Sequence, residues 1–229
     1  MEPLRTVAFI PVRGGSKSIP EKNIRMLAGR PLVHWTRDAA LGCARIDRVF
    51  VSSDSPRIRE VAGEGASDRL SVIDRSAETA TDTASTESAL LEFASDVAFE
   101  WVVLIQATSP LLTSADLDRA LAHRERSGAD SLVSVTRHHR FRWRRDASGR
   151  AVPENYDPRA RPRRQDWPGE LYESGAFYVT SREALLESRC RISGRVTVWE
   201  MPPESAVELD EPADWTVVEG LLRARAAGS

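Results

Sequence analysis

The sequence predicts an α/β fold with a mostly parallel central sheet, on three observations. Short apolar runs alternate with helix-length amphipathic runs through the first half of the chain, the pattern of strand–helix–strand crossovers. The run 101–105 (WVVLI) is apolar at every position, as a strand covered on both faces must be. The run 6–12 (TVAFIPV) leads directly into a Gly pair, where open α/β sheets place ligand-binding loops.

Taken in order, residues 6–12 are the first strand. Residues 31–44 open with Pro31 and carry Leu32, Trp35, Ala39 and Ala40 at helical spacing, so they read as a helix. Residues 48–52 read as a strand, 55–65 as a helix closed by Gly65, and 70–73 as a short third strand. Residues 85–97 put Ala89, Leu90 and Phe93 on one helical face. The central strand at 101–105 is followed by a helix at 115–126 and a strand at 131–135. Regular structure returns with a strand at 176–179, a helix from Arg182 and a strand at 196–199. A helix at 212–225 closes the sequence, with Trp215, Val218 and Leu222 on one side.

Between these parts the pattern breaks. Residues 137–164 hold ten arginines against three acids, in a chain whose net charge is −2. The segment also carries Phe141, Trp143 and Tyr156, and reads as an inserted arm rather than a further sheet unit. Arginine forks match carboxylate or phosphate groups. A solvated charged face and nucleic-acid binding are the other readings, and an acidic chain without a nucleic-acid module disfavours the latter.

Composition narrows the class. With 41% hydrophobic and 29% charged residues, wholesale disorder is excluded. Two cysteines, Cys43 and Cys190, can build neither a disulfide framework nor a cysteine zinc site. They read as reduced, buried thiols of a cytoplasmic protein. No apolar run approaches the ~18 residues of a membrane helix, and the start, MEPLRTVAFIPVRGG, does not read as a signal peptide. Only two lysines occur, Lys17 and Lys22, and both lie in one loop.

Three motifs carry chemistry. In RGGSKSIPEKN (13–23) the glycines allow backbone N–H groups to converge on phosphate oxygens, while Arg13, Lys17 and Lys22 neutralise them. The spacing is neither the Walker nor the dinucleotide pattern, and Gly-Gly-Ser is also a common turn. In IQATSPLL (105–112), Gln106 leaves the central strand able to hydrogen-bond a base or sugar, or the segment is plain turn and cap chemistry. In VELDEP (207–212), read as a short strand, Glu208 and Asp210 share a face. Two such carboxylates can hold one Mg²⁺ with phosphates completing its shell, or form a solvated acidic turn.

Together VRGGSKSIPEKNI, DRSAETATDTAS, LIQATSPLL, RPRRQDWPGELYESGAFYV and VELDEPADW resemble the CMP-sialic acid synthetases (N-acylneuraminate cytidylyltransferases), with the arm closest to the catalytic domain of the animal enzymes. The resemblance implies a single Rossmann-like nucleotidyltransferase domain over 1–229, with an inserted dimerisation lobe at about 137–171. It implies CTP plus a nonulosonic acid giving CMP-sugar and pyrophosphate, with Mg²⁺, in a homodimer with shared sugar sites. Neither nucleic acid nor membrane is an expected partner.

Carried over residue by residue, Arg13, Gly14, Gly15, Ser16, Lys17, Lys22 and Asn23 match the loop that holds the triphosphate and nucleotide. Arg75, Ser85 and Thr86 match positions around the cytosine, and Gln106 one near the ribose and acceptor sugar. Arg161, Arg164 and Gln165 match groups presented to the sugar across the dimer, Arg164 being the expected partner of its carboxylate. Tyr172 and Phe177 lie in the sugar-side stretch. Glu208 and Asp210 match the metal carboxylates. Arg13, Lys22 and Asp210 are the expected catalytic residues, Asp210 as base.

Three positions depart from that pattern. Glu208 stands where Asp is usual, Ser18 where Gly is usual, and Ala160 where Lys often precedes RPRR. If Ser18 sits in the left-handed region it is strained. The competing readings are a cytidylyltransferase for another 2-keto acid sugar (Kdn, legionaminate, pseudaminate or Kdo) and a nucleotide-binding homologue of low activity.

Overall fold

A computed structural model describes residues 4–16, 18–65 and 67–228. Strand β1 (Leu4–Pro11) is followed by a small antiparallel pair, β2 (Met26–Leu27) and β3 (Arg30–Pro31). Helix α1 (Leu32–Gly42), β4 (Arg48–Ser53), α2 (Pro56–Gly63) and β5 (Leu70–Asp74) come next. Then follow α3 (Thr86–Asp96), β6 (Phe99–Ile105), α4 (Ser114–Ser127) and β7 (Ser131–His138). A hairpin, β8 (Trp143–Arg145) with β9 (Ala151–Pro153), stands apart from the main sheet. The chain closes with β10 (Glu170–Ser181), α5 (Arg182–Ser188), β11 (Val196–Glu200) and α6 (Pro212–Ala227).

The seven-stranded sheet has the order β11-β7-β10-β6-β1-β4-β5. It is parallel except at β10, which runs antiparallel to both β6 and β7. The chain builds outward from β1 through β4 to β5, then returns to place β6 on the other side of β1. The switch point of the topology therefore lies between β1 and β6, where open α/β sheets bind ligands at the carboxyl ends of their strands.

Strand β10 is much longer than the four residues its apolar stretch suggests. Its first half alternates exposed and half-buried positions, and only the second half enters the sheet interior. Its pairing with β7 shifts register between Glu173 and Tyr178, and Gly175 within that interval has φ +68°. A bulge of this kind bends the strand and re-aims its side chains.

The core lies on both faces of the sheet. Alternation along β1 sends Ala8 and Ile10 to one side and Val7 and Phe9 to the other. On the second side Phe93 of α3 stacks on Phe9 at 4.4 Å and on Phe99 at 5.5 Å, and meets Phe50 edge-on at 5.0 Å. A third cluster joins α6 to the loop after β1, through Trp215, Val218 and Leu222 packed with Ile19, Leu27 and Leu209. That packing brings the 207–211 segment against the loop after β1. Helix starts are set by side chains: Ser55 caps α2, Ser85 caps α3, and Thr113 with Asp116 forms a reciprocal box on α4.

Of the two cysteines only Cys43 is buried; Cys190 is partly exposed. Burial, with a hydrogen bond to Asp118, pushes the Cys43 thiol up to about 12. No helix among the described residues is long and apolar enough to cross a membrane.

The arm between β7 and β10 is knitted at its root by one carboxylate. Glu170 accepts from Arg142 (2.9 and 3.1 Å), Asn155 (2.7 Å) and Tyr172 (3.0 Å). Asn155 in turn holds the backbone of Arg142 (2.9 Å) and Arg140 (3.0 Å). Above this knot Phe141 stacks on Trp167 at 4.9 Å and packs against Tyr156 at 4.3 Å.

Phe93 joins three other rings across the sheet face, so Phe93→Ala leaves a cavity and should cost about 3–5 kcal/mol. Urea unfolding followed by near-UV circular dichroism checks this; a loss under 1 kcal/mol, on the order of a surface substitution, would show that the cluster does not anchor α3.

Candidate functional site

A cavity of about 300 Å³ opens at the switch point, walled by Arg13, Lys22, Asn23, Arg75, Thr86 and Gln106 among others. Three loops and one helix start supply these residues. Arg13 leaves β1, Gln106 leaves β6, Arg75 follows β5, and Thr86 begins α3. The register Phe9↔Leu104 sets the ends of β1 and β6 abreast, which is why Arg13 and Gln106 share one cavity.

The charged side chains and Asn23 are held. Arg13 donates to the Asp82 carboxylate at 2.7 Å. Asn23, buried, donates to the Arg13 carbonyl at 3.1 Å and fixes the loop's return. Lys22 donates to the Leu209 carbonyl at 2.7 Å and lies 3.7 Å from Asp210. Arg75 donates to the Thr79 hydroxyl at 3.3 Å and to the Thr79 carbonyl. Thr79 and Ser76 are in turn held by Glu92 of α3. The Gln106 backbone N–H donates to the Ala176 carbonyl at 3.0 Å, leaving its side chain on the cavity wall.

A second cavity adjoins the first and shares Thr86, Gln106 and Thr108 with it. Its other walls are Glu173, Gly175, Tyr178, Arg191 and Glu208. Tyr178 donates to Glu173 at 2.9 Å, and burial together with that carboxylate pushes its phenol up to about 12. It therefore stays protonated across the working pH range.

The two cavities differ in electrostatics. Burial lowers Arg75 below the usual guanidinium value; the charge of Arg13 adds to this, while Asp54 and Glu92 oppose it. Two guanidiniums that repel one another across a cavity suit a polyanion. On the other side, burial raises Glu208 above the usual carboxylate range, and the charge of Asp210 raises it further against the pull of Lys22. A half-buried carboxylate with a second one nearby suits a cation. Among the described residues no group of three or more His, Cys, Asp or Glu is placed to hold a metal.

Several expectations change. The glycine loop does not present all its N–H groups to the cavity: that of Gly14 is taken by Asp54 at 2.8 Å. Gly15 stands in open space, and neither Gly15 nor Ser16 lines the cavity. Ser85 acts as the cap of α3 rather than as a wall. Glu208 and Asp210 are not on a strand; they follow a short turn of helix, Pro203–Ala206. Phe177 is fully buried in the core and cannot meet a sugar. The non-glycine residues with left-handed backbone among those described are Glu21, Ala28 and Arg189. Lys17 lies outside the described residues.

The arm residues stay away from both cavities. Arg161 packs its guanidinium over Phe141 at 4.4 Å. Arg164 and Gln165 sit exposed on a short turn of helix, Arg164–Asp166. Tyr172 is bound to Glu170 and meets His138 edge-on at 5.1 Å. Sequence reasoning missed Asp54, Asp82, Glu173, Tyr178 and Arg191. Asp82, Glu173 and Tyr178 lie inside motifs that were singled out, but nothing in their spacing marks them as wall residues.

A family model for cytidylyltransferases matches residues 7–197. This chain belongs to the cytidylyltransferase family. It is 42% identical over 217 residues to N-acylneuraminate cytidylyltransferase A of Danio rerio, covering 93% of this chain and 49% of that one. It is 31% identical over 225 residues to N-acylneuraminate cytidylyltransferase of Streptococcus agalactiae, covering 96% and 54%. The chain thus spans about half the length of the curated relatives it matches. The fold matches a CMP:2-keto-3-deoxy-manno-octonic acid synthetase complexed with CTP (TM-score 0.70, 19% identity, 96% of this chain and 99% of that one). It also matches a 4-diphosphocytidyl-2C-methyl-D-erythritol synthase from Anaerococcus prevotii (TM-score 0.69, 13% identity, 96% of each).

Two outcomes follow for these cavities. A Cβ at Gly175 would collide with the Glu208 carboxylate on a left-handed backbone, so Gly175→Ala should destabilise the fold by at least ~1 kcal/mol. Thermal unfolding checks it, and an unchanged midpoint would contradict this packing. Hydrogen bonds from Arg191 hold the Glu87 carboxyl below its ordinary value. Such a group stabilises the fold fully above its unfolded pKa of about 4.3 and loses that contribution as pH falls through the lower folded value. The stability gap between wild type and Glu87→Gln should therefore narrow on acidification from neutral pH; a gap that widens would reverse the sign.

Proposed function

We propose that this chain transfers CMP from CTP to the anomeric hydroxyl of a nonulosonic (sialic) acid, releasing pyrophosphate. The observation that carries this reading is the pair of adjoining cavities, one bordered by Arg13, Lys22 and Arg75 and the other by the carboxylate of Glu208. A triphosphate fits the first and a polyhydroxylated acceptor the second. The family and the names of its relatives agree with that division of labour.

In the reaction, the acceptor C2 hydroxyl oxygen attacks the α-phosphorus of CTP in line. A new P–O bond forms, the bond between the α-phosphorus and the bridging oxygen breaks, and pyrophosphate leaves with the electron pair. The hydroxyl proton passes to a base, a role this reading gives to Asp210, 3.7 Å from Lys22. Arg13 and Lys22 stabilise the charge that develops on the leaving pyrophosphate. They exchange their present partners, Asp82 and the Leu209 carbonyl, for phosphate oxygens. Asn23 keeps the loop closed while this happens. Gln106, on the wall common to both cavities, hydrogen-bonds the ribose and the incoming sugar; Arg75 and Thr86 face the nucleotide.

Glu208 and Asp210 would hold Mg²⁺. They fit the ion as oxygen donors close together in sequence, Glu208 half-buried and raised by burial and by the charge of Asp210, and two protein carboxylates suffice where phosphates supply further ligands. Bound there, Mg²⁺ would neutralise phosphate charge in the transition state.

The arm completes the site of a second copy in a two-fold homodimer. Arg161, Arg164 and Gln165 reach neither cavity of their own chain, and Arg164 would pair with the carboxylate of the partner's sugar. A cytoplasmic location, where CTP and Mg²⁺ are both available, fits this assignment.

Pyrophosphate release with CTP and Mg²⁺, across N-acetylneuraminate, Kdn, legionaminate, pseudaminate and Kdo, tests the reading. Release with a nonulosonic acid is expected. Release with Kdo alone would move the acceptor class, and silence across the panel with CTP binding intact would leave a nucleotide-binding protein. Arg13→Ala and Lys22→Ala should each lower kcat by roughly 10²–10³-fold, and unchanged turnover would remove the residue from the mechanism.

A further inference from the structure

Arg191 lies in the loop between α5 and β11, outside every motif that suggested a function, yet it walls the acceptor-side cavity. Its position is tightly determined. Glu87, in the first turn of α3, accepts from Arg191 Nε at 2.5 Å and from Nη2 at 2.9 Å. Both side chains are largely buried, at 21% and 23% exposure. The guanidinium also lies over the Tyr178 ring at 5.0 Å. The loop itself is tied down at Ser193, which exchanges hydrogen bonds with the Ser131 side chain. With Nε and Nη2 committed to Glu87, Nη1 has no protein partner among the described residues.

Two properties follow from this arrangement. First, Arg191 cannot swing freely, because its fork is closed by a bidentate carboxylate, so any group it reads must come to it. Second, its charge is already matched by Glu87. The remaining charged walls of the cavity, Glu173 and Glu208, are carboxylates. A carboxylate brought to Nη1 would meet a guanidinium whose charge Glu87 already neutralises, in a cavity that Glu173 also lines, and would gain little net attraction there. An uncharged oxygen has no such conflict and still gains a hydrogen bond to a partly desolvated donor.

We propose that Arg191, held by Glu87, is a specificity-determining residue of the acceptor cavity that donates from Nη1 to an uncharged oxygen of the acid sugar, an amide carbonyl or a hydroxyl, and so turns the sugar's carboxylate away from this wall. This rests on the nucleotidyl-transfer reading above and deepens it. It fixes which way round the acceptor lies: its polyol or acylated end meets β10 and α3, and its carboxylate points out toward the mouth, where the partner's arm would meet it.

The experiment compares two double variants in full steady-state kinetics, with CTP and N-acetylneuraminate varied in turn. Glu87→Gln with Arg191→Gln replaces the ion pair by a neutral pair and keeps a donor at residue 191. Glu87→Gln with Arg191→Ala removes the donor and leaves no lone carboxylate. The KM for CTP and the thermal midpoint report on folding and on the nucleotide cavity in both. The expected result is an acceptor KM within about threefold of wild type for the Gln–Gln protein and about tenfold higher for the Gln–Ala protein, the size of one neutral hydrogen bond, with the CTP KM unmoved.

An unchanged acceptor KM in the Gln–Ala protein would overturn the proposal. So would an equal loss in both proteins, because it would mean that the positive charge, and hence the carboxylate, is what Arg191 reads. A parallel rise in the CTP KM would reduce Arg191 to a structural tie of α3. Wild-type protein that releases pyrophosphate with no acceptor overturns the nucleotidyl-transfer reading and this inference together, whereas an active wild type with unaffected variants overturns this inference alone.

Discussion

The site depends on the parallel pairing of β1 with β6. Those two strands meet because the chain reverses its direction of growth across the sheet, and their ends are level because Phe9 faces Leu104 in the ladder. A slip of one residue would turn every side chain of one strand to the opposite face. Phe9 would leave the aromatic cluster, and the ends carrying Arg13 and Gln106 would no longer be level. The apolar packing on both sheet faces thus fixes the register, and the register fixes the chemistry at the strand ends.

From that point charge is sorted by element. The first cavity draws its cations from the loops after β1 and β5, and the second draws its acids from the bulged half of β10 and the segment before α6, with Arg191 beside them. The antiparallel insertion of β10 achieves this separation. It brings Glu173 and Tyr178 to the same end of the sheet as Gln106, and the left-handed turn at Gly175 opens the space that Glu208 fills. Glu reaches one methylene further than Asp, and the missing Cβ at Gly175 leaves the room that this extra length requires.

The framework was legible in the sequence because it is written in periodicity. Every helix foreseen from apolar spacing exists, with ends moved by a residue or two at caps such as Ser55 and Ser85. The outer half of β10 was not legible, since ELYES alternates between half-buried and exposed positions and carries no apolar run. Glu208 lies on a cavity wall, but the strand expected to carry it and Asp210 is absent: α6 packing against Ile19 and Leu27 holds that segment in an irregular path that local sequence does not encode. Phe177 lies in the stretch the resemblance sets on the sugar side, but the pleat turns it into the core. Arg191 left no trace, because the cavity it walls is assembled from α3, β6, β10 and the segment before α6, residues far apart in the chain.

The Glu170 knot has a consequence for association. A basic, aromatic arm projecting from a sheet would ordinarily sample many shapes, and a partner would have to freeze them on contact, at the expense of affinity. Here Arg142, Asn155 and Tyr172 converge on one carboxylate, and Phe141, Tyr156 and Trp167 are already stacked. The arm is preorganised within its own chain. A surface that docks on it meets a finished shape, and much of the entropy of ordering the segment is spent when the chain folds rather than when two molecules meet.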